Sequence, residues 1–232
     1  MNVNSTMKHA VIVIGGDLPD PRALDHLDPH HVVICADSGL DHALTLGLDP
    51  HVLLGDMDSI SAANLERSTS AEWIVIPFDR DKDQTDTELA LQYAVDHQFA
   101  AITILWGSGD RIDHVLGVLA ALAHSSLQTV GRLVAWIGSD RVEVLHGPKV
   151  WRDEVPLGST ISLMPLGHLV DDVTTNGLKW NLEGAELSPT TSRGVSNLSN
   201  EPTISISIGN GVLAVVYPGH SATLPRKSES PT

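Results

Sequence analysis

A chain of 232 residues and 24.8 kDa, 42% of them apolar, has enough hydrophobic surface for one large core or two modest ones, which excludes a small disulfide-stapled fold. Fourteen Lys and Arg against 29 Asp and Glu give a formal charge of -15 and a pI near 5.0, which argues against a broad basic surface for nucleic acid. The single cysteine, Cys35, lies in the apolar run 32–35 and reads as a buried thiol in a reducing compartment.

Residues 1–8 are polar, and the apolar run 10–14 that follows is five residues long, short of the roughly 7 to 15 of a secretory core. The longest mainly apolar stretch, 115–123, is about half of the roughly 20 residues that span a bilayer. The expectation is a soluble, cytoplasmic protein without a membrane partner. The runs 10–14, 32–35, 52–54, 73–76, 102–106 and 133–137 are continuous and apolar, as in strands buried on both faces. Between them, Thr85 and Glu88 fit a capping box ahead of Leu89, Ala90, Tyr93 and Ala94 at helical spacing. Val115, Leu116, Leu119, Ala120 and Ala123 mark a second helix. This alternation predicts a mostly parallel, doubly wound α/β domain over residues 1–139. After Gly138 the runs 141–145, 160–164, 169–174, 203–208 and 212–217 are short, partly alternating and punctuated by Gly, Pro, Asn and Asp. They predict an antiparallel β-sandwich or barrel domain over 140–219, and the Ser- and Pro-containing stretch 220–232 reads as a disordered tail.

The carboxylates carry the functional signal through their positions. Asp37 follows the second predicted strand, Asp56 and Asp58 the third, Asp81, Asp83 and Asp86 the fourth, and Asp110 and Asp113 the fifth. In a parallel sheet these strand ends share one edge, where open α/β folds bind ligands. Carboxylates gathered there repel one another unless a cation sits among them. Oxygen donors without a nearby cysteine point to Mg²⁺ or Mn²⁺ rather than zinc, and Mg²⁺ is commonly held together with substrate phosphates. A nucleotide or phosphate ester is therefore the expected ligand. Lys82 and Arg111 add positive charge, while Gly15-Gly16 and Gly107-Ser108-Gly109 permit close backbone approach to phosphate.

Plainer readings stand beside these. Ser38, Ser59 and Thr85 are N-caps or phosphate contacts, Asp81 is a surface partner for Arg80, and His114 packs at a helix start or touches a phosphate or base. The sequence contains no G-x-x-x-x-G-K-[ST] and no H-E-x-x-H, which excludes a Walker-type ATPase and a zincin.

Four segments in order, Ala36-Asp37-Ser38-Gly39, Gly47-Leu48-Asp49-Pro50 leading to Gly55-Asp56-Met57-Asp58-Ser59, Lys82-Asp83-Gln84-Thr85-Asp86, and Gly109-Asp110-Arg111-Ile112-Asp113-His114, together resemble the thiamine pyrophosphokinase family. Thr175-Asn176-Gly177-Leu178-Lys179-Trp180 and Gly194-Val195-Ser196-Asn197 are similar to that family's thiamine-side motifs. The resemblance covers roughly residues 10–217. It implies transfer of the terminal diphosphate of ATP to the hydroxyl of thiamine, giving thiamine diphosphate and AMP, in a homodimer whose active site lies between subunits. It also implies that Asp56, Asp58 and Asp86 hold Mg²⁺ (or Mn²⁺) and act in catalysis. Asp37, Ser38, Ser59, Lys82, Asp83, Thr85, Arg111, Asp113 and His114 would contact the nucleotide, and Trp180, Ser196 and Asn197 the thiamine. A phosphatase using Asp56 as nucleophile is the competing reading of the D-x-D motif, but such a motif opens its domain rather than following a third strand.

Overall fold

The computed structural model describes residues 8–109 and 111–219, so Asp110 and the expected tail lie outside the described residues. Chain contacts divide the molecule after Gly138 into two units. The first unit runs β1 (His9–Val13), β2 (His31–Ala36), α1 (Gly39–Thr45), β3 (Pro50–Gly55), α2 (Ala62–Ser70), β4 (Ile74–Pro77), α3 (Asp86–Asp96), β5 (Ala101–Trp106), α4 (Ile112–Leu122) and β6 (Arg132–Ile137), with short 3-10 turns at 21–26 and 125–129. Its strands pair in parallel in the order β6-β5-β1-β2-β3-β4. Continuous apolar runs form these strands because both faces are covered: every residue of β1 is buried, and so are Ile34 and Cys35 of β2 and Ile104 and Leu105 of β5. Leu40 and Ala43 of α1, Ala90, Leu91 and Ala94 of α3, and Ala121 and Leu122 of α4 supply buried helical faces.

Strand order places the ligand edge. The chain builds outward from β1 through β2, β3 and β4, then returns to the other side of β1 with β5 and β6. A parallel sheet that reverses its direction of growth in this way leaves a crevice at the strand C-termini. The loops after β1, β2, β3, β4 and β5 therefore come to one edge, as the positions of the aspartates predict.

The second unit runs β7 (Asp140–His146), β8 (Lys149–Glu154), β9 (Thr160–Pro165), β10 (Val170–Asn176), β11 (Ala185–Leu187), β12 (Asn197–Leu198), β13 (Thr203–Ile208) and β14 (Val212–Tyr217). Antiparallel pairing gives two layers, β12-β9-β14-β7 and β11-β10-β13-β8. In β13 the sequence T-I-S-I-S-I alternates, so Ile204, Ile206 and Ile208 point inward to meet Ile161, Leu163, Leu213 and Val215 of the other layer in one apolar cluster. Beside that cluster Arg141 is buried with its guanidinium 4.2 Å from the Tyr217 ring centroid, paired with Glu143 at 3.5 Å and with Asp153. Burial is the main reason the Tyr217 phenol is pushed far above its ordinary range.

Two expectations change. The fourth apolar run is not buried on both faces: β4 is the outermost strand, and Ile74 and Val75 are 56% and 42% exposed. Arg80 pairs with Asp58 at 3.3 Å across the loops, while Asp81 donates its backbone N–H to Asp79. Helices α1 and α2 escape the periodicity reading because one spans only seven residues and the other, A-A-N-L-E-R-S-T-S, is almost without apolar side chains. Among the described residues no helix is long and apolar enough to cross a membrane.

Cys35 is fully buried, and burial pushes its thiol up to about 12. The native protein at neutral pH should react with a thiol reagent only as fast as it unfolds, with ordinary reactivity in denaturant. Prompt labelling of the folded protein, followed by absorbance, would contradict this burial.

Candidate active site

The acidic site is built from the three loops after β2, β3 and β4 at the C-terminal edge of the parallel sheet. After β2, Asp37 takes a left-handed conformation (φ 48), and its N–H is bonded to the Leu54 carbonyl at 2.8 Å, which ties the end of β2 to β3. Its carboxylate accepts from the Ser59 hydroxyl through Oδ2. Oδ1 is buried and has no hydrogen-bond partner among the described residues. After β3, Gly55 (φ 137) leads into Asp56-Met57-Asp58, where Met57 is also left-handed (φ 65) and the Asp58 N–H donates to Asp56 Oδ1 at 3.1 Å. A Cβ on Gly55 would lie 3.1 Å from Asp37 Cβ and 3.2 Å from Asp86 Oδ1, so glycine is what lets the acidic loops close on one another.

The following helix is fastened as well. Asp41 accepts from the Ser61 N–H (2.9 Å), the Ser61 hydroxyl (2.7 Å) and the Asn64 amide (2.6 Å). Burial works against that charge, but the bonds from Asn64 and Ser61 outweigh it and hold the Asp41 carboxyl below its usual range.

After β4, Lys82 places its ammonium 3.2 Å from Asp86 Oδ1 and 3.9 Å from Asp56 Oδ2. Thr85 then caps α3 in the predicted capping box: the Glu88 N–H donates to Thr85 Oγ1 at 3.2 Å, and the Thr85 N–H donates to Glu88 Oε2 at 2.8 Å. The cap fixes Asp86 at the first helical position. Desolvation raises the Asp86 carboxyl above its ordinary value, Lys82 pulls it back, and Asp37 and Asp56 push it up again.

One carboxylate oxygen from each of Asp37, Asp56 and Asp58 lies within 4.8 Å of the others. The orphaned Asp37 Oδ1 and an all-oxygen donor set free of sulfur and imidazole fit a hard divalent cation. The geometry groups Asp37 with the pair Asp56 and Asp58, and sets Asp86 beside them through Lys82.

A cleft of about 290 Å³ opens beside this cluster, lined by Gly15 and Gly16 after β1, Asp37 and Ser38 after β2, Ser59, Thr85 and Asp86, Trp106 at the end of β5, and Asp113, His114 and Gly117 of α4. The Gly16 carbonyl is bonded to His42 Nε2 at 2.9 Å, which orders the turn after β1. Asp83 is exposed on the loop before Thr85. Arg111 pairs with Asp113 at 2.6 Å on the exposed start of α4, and that guanidinium keeps the Asp113 carboxyl below its usual range. Gly15-Gly16 lines the cleft as expected, whereas Trp106 and His42 were not among the expected site residues: Trp106 is the last residue of an apolar strand run, and His42 reaches the Gly16 carbonyl from α1 across 26 residues.

In the second unit, Trp180, Leu182, Arg193, Val195 and Asn197 line a cleft of about 350 Å³. Trp180 is 55% exposed and carries the Lys179 ammonium 4.7 Å from its ring centroid. Ser196 is left-handed (φ 59) and exposed, with its N–H donated to Ser162 Oγ at 3.0 Å. Asn197 is buried and its amide is engaged within the chain: Oδ1 accepts from the Trp180 N–H (3.2 Å) and the Leu198 N–H (2.9 Å), and Nδ2 donates to the Trp180 carbonyl (2.8 Å).

Comparison with known proteins decides the family. The catalytic-domain model of thiamin pyrophosphokinases matches residues 24–133, and the model of their vitamin B1 binding domain matches residues 149–213. The chain belongs to the thiamine pyrophosphokinase family. It is 26% identical over 213 residues to the thiamine pyrophosphokinase of Bacillus subtilis, covering 90% of this chain and 98% of that protein. It is also 26% identical to thiamine pyrophosphokinase 1 of Arabidopsis thaliana over 234 residues, 89% of this chain and 85% of the relative. The crystal structure of the Bacillus subtilis enzyme superposes with a TM-score of 0.79 at 26% identity, covering 94% of this chain and all of that one. The yeast thiamin pyrophosphokinase structure shares the fold, with a TM-score of 0.70 at 16% identity over 94% of this chain and 89% of its own.

Replacing Asn197 by Ala leaves two N–H groups and a carbonyl of the 180 and 198 backbone without their partner. The loss should lower unfolding free energy by roughly 1 to 3 kcal/mol. Denaturant titration checks it, and an unchanged midpoint would show that these bonds add nothing to the fold.

Proposed function

We propose that this chain transfers the terminal diphosphate of ATP to the hydroxyl of thiamine, giving AMP and thiamine diphosphate, with a divalent cation at the acidic edge. The observation that carries the reading is the convergence of Asp37, Asp56 and Asp58 within 4.8 Å, beside a cleft floored by Gly15 and Gly16. Asp56 and Asp58 would hold Mg²⁺ or Mn²⁺, with Asp86 and Asp37 at its flanks. When bound, the ion supplies charge neutralisation at the phosphate oxygens. Lys82 contributes a positive charge on the same side, and the Ser38, Ser59 and Thr85 hydroxyls with the Gly15-Gly16 backbone offer short hydrogen bonds to phosphate. Asp83, Arg111, Asp113 and His114 form the outer nucleotide wall. Trp180 provides an aromatic face for a heterocycle, Ser196 a hydroxyl beside it, and Asn197 holds the Trp180 backbone in place.

Positioning and electrostatics are enough for this chemistry, because a loose phosphoryl transition state asks little of a general base. None is assigned. Use of ATP as donor supports a cytoplasmic location, and a homodimer is the assembly we propose. Its support here is the exposed apolar ridge of α4, where Ile112 and Leu116 are 70% and 60% exposed. Sedimentation of the purified protein tests the assembly.

Incubation with ATP, Mg²⁺ and thiamine should yield AMP and thiamine diphosphate in equal amounts by chromatography. ADP with thiamine monophosphate would overturn the assignment. Asp58→Asn should cut turnover by about 100-fold or more, while the melting temperature stays near wild type, since Asp58 is exposed and its partner Arg80 is 78% exposed. Near-normal turnover of this variant at saturating Mg²⁺ would remove Asp58 from the metal site.

A further inference from the structure

The acidic edge carries its own cation. Lys82 is 17% exposed, 3.2 Å from Asp86 Oδ1 and 3.9 Å from Asp56 Oδ2, and it lies on the β4–α3 loop four residues before Asp86. Arg80, two residues earlier, reaches the third acidic position, Asp58, at 3.3 Å, but it is 78% exposed and screened by water. The two cations differ in depth rather than in sign. Lys82 sits where the dielectric is lower and where Asp37 and Asp56 act on Asp86, so its charge bears directly on Asp56 and Asp86.

We propose that Lys82 is the resident counter-ion of the metal-free site, neutralising Asp56 and Asp86 until a divalent cation takes over that role and Lys82 withdraws from them. The proposal rests on the metal reading given above. A lysine suits the task because its ammonium is a compact charge on a flexible four-carbon stem, able to leave one pair of oxygens without moving the backbone. The device has a signature in the sign of one measurement. Removing Lys82 deletes a competitor for Asp56 and Asp86 and leaves the edge more negative, so both effects tighten divalent-ion binding. A lysine that merely props the carboxylates in position would have the opposite effect, since they would splay on its removal and bind the ion less well.

The test uses the full chain without nucleotide, at low ionic strength, with Mn²⁺ as the probe followed by electron paramagnetic resonance and Mg²⁺ as competitor. Lys82→Met should bind Mn²⁺ about five- to tenfold more tightly than wild type, and Arg80→Met should stay within about twofold. Metal-free Lys82→Met should also melt below wild type, with the gap closing as Mn²⁺ is added. If Lys82→Met fails to fold, Lys82→Gln carries the same comparison. Unchanged or weaker binding in the Lys82 variant, with Mn²⁺ still bound by wild type, overturns the counter-ion role and leaves the metal reading standing. Absence of binding by every form, wild type included, overturns both.

Discussion

Like charges forced together at the end of a parallel sheet are the constraint around which the first unit is organised. Five parallel pairings carry the loops after β2, β3 and β4 to one edge, and each brings an aspartate. Such a cluster is tolerated only where the backbone gives it room and positive charge offsets it. Gly55 gives the room, since a Cβ there would press on both Asp37 and Asp86. Lys82 and Arg80, on one short loop, bring the charge. The capping box at Thr85 and Glu88 fixes the helix start so that Asp86 meets the group rather than solvent. Local features that look like ordinary turn and cap chemistry are thus the parts that hold a strained electrostatic arrangement in place.

The second unit solves a different problem, that of presenting an exposed aromatic side chain in a fixed orientation. Its core comes from simple alternation, as in β13, and needs no special chemistry. The 177–200 region that follows β10 has little regular structure, and scattered backbone bonds, such as the Lys179 N–H to the Leu198 carbonyl at 2.8 Å, are supplemented there by side-chain bonds to backbone. Asn197 is the main one. By bonding both the N–H and the carbonyl of Trp180, its amide does for that residue what a strand ladder would do, and the indole stays exposed on a tethered backbone. The buried Arg141 of the same sandwich has its charge compensated by Glu143 and Asp153 and lies over the Tyr217 ring.

Much of the edge was legible in the chain because parallel topology converts position after a strand into position in space. Asp37, Asp56, Asp58 and Asp86 could be placed on one edge from sequence for that reason, though together with Asp81, Asp83, Asp110 and Asp113, and Thr85 could be paired with Glu88 because a capping box is a local motif. The role of Asn197 was not legible. A small polar residue after glycine looks the same whether its amide faces a ligand or its own backbone, and the 17-residue separation from Trp180 carries no periodic signal. Arg80 was misread for a related reason. Its neighbour Asp81 is adjacent in sequence, but the loop turns the guanidinium toward Asp58, which comes from a different strand end.

The sequence by itself determined the two-part architecture, through continuous apolar runs in one half and alternating ones in the other, and it determined that the aspartates after successive strands share one edge, because strand direction alone fixes that edge. Tertiary structure decided which acids are closest, which cation serves which acid, how deeply each is buried, and which amide is consumed within the fold. Those choices depend on distances of 3 to 5 Å between residues far apart in the chain, such as Asp37 beside Asp56 and Asp58, and Asn197 against Trp180. Hydrophobic periodicity is a property of neighbours along the chain, whereas charge neutralisation and hydrogen bonding are settled by neighbours in space.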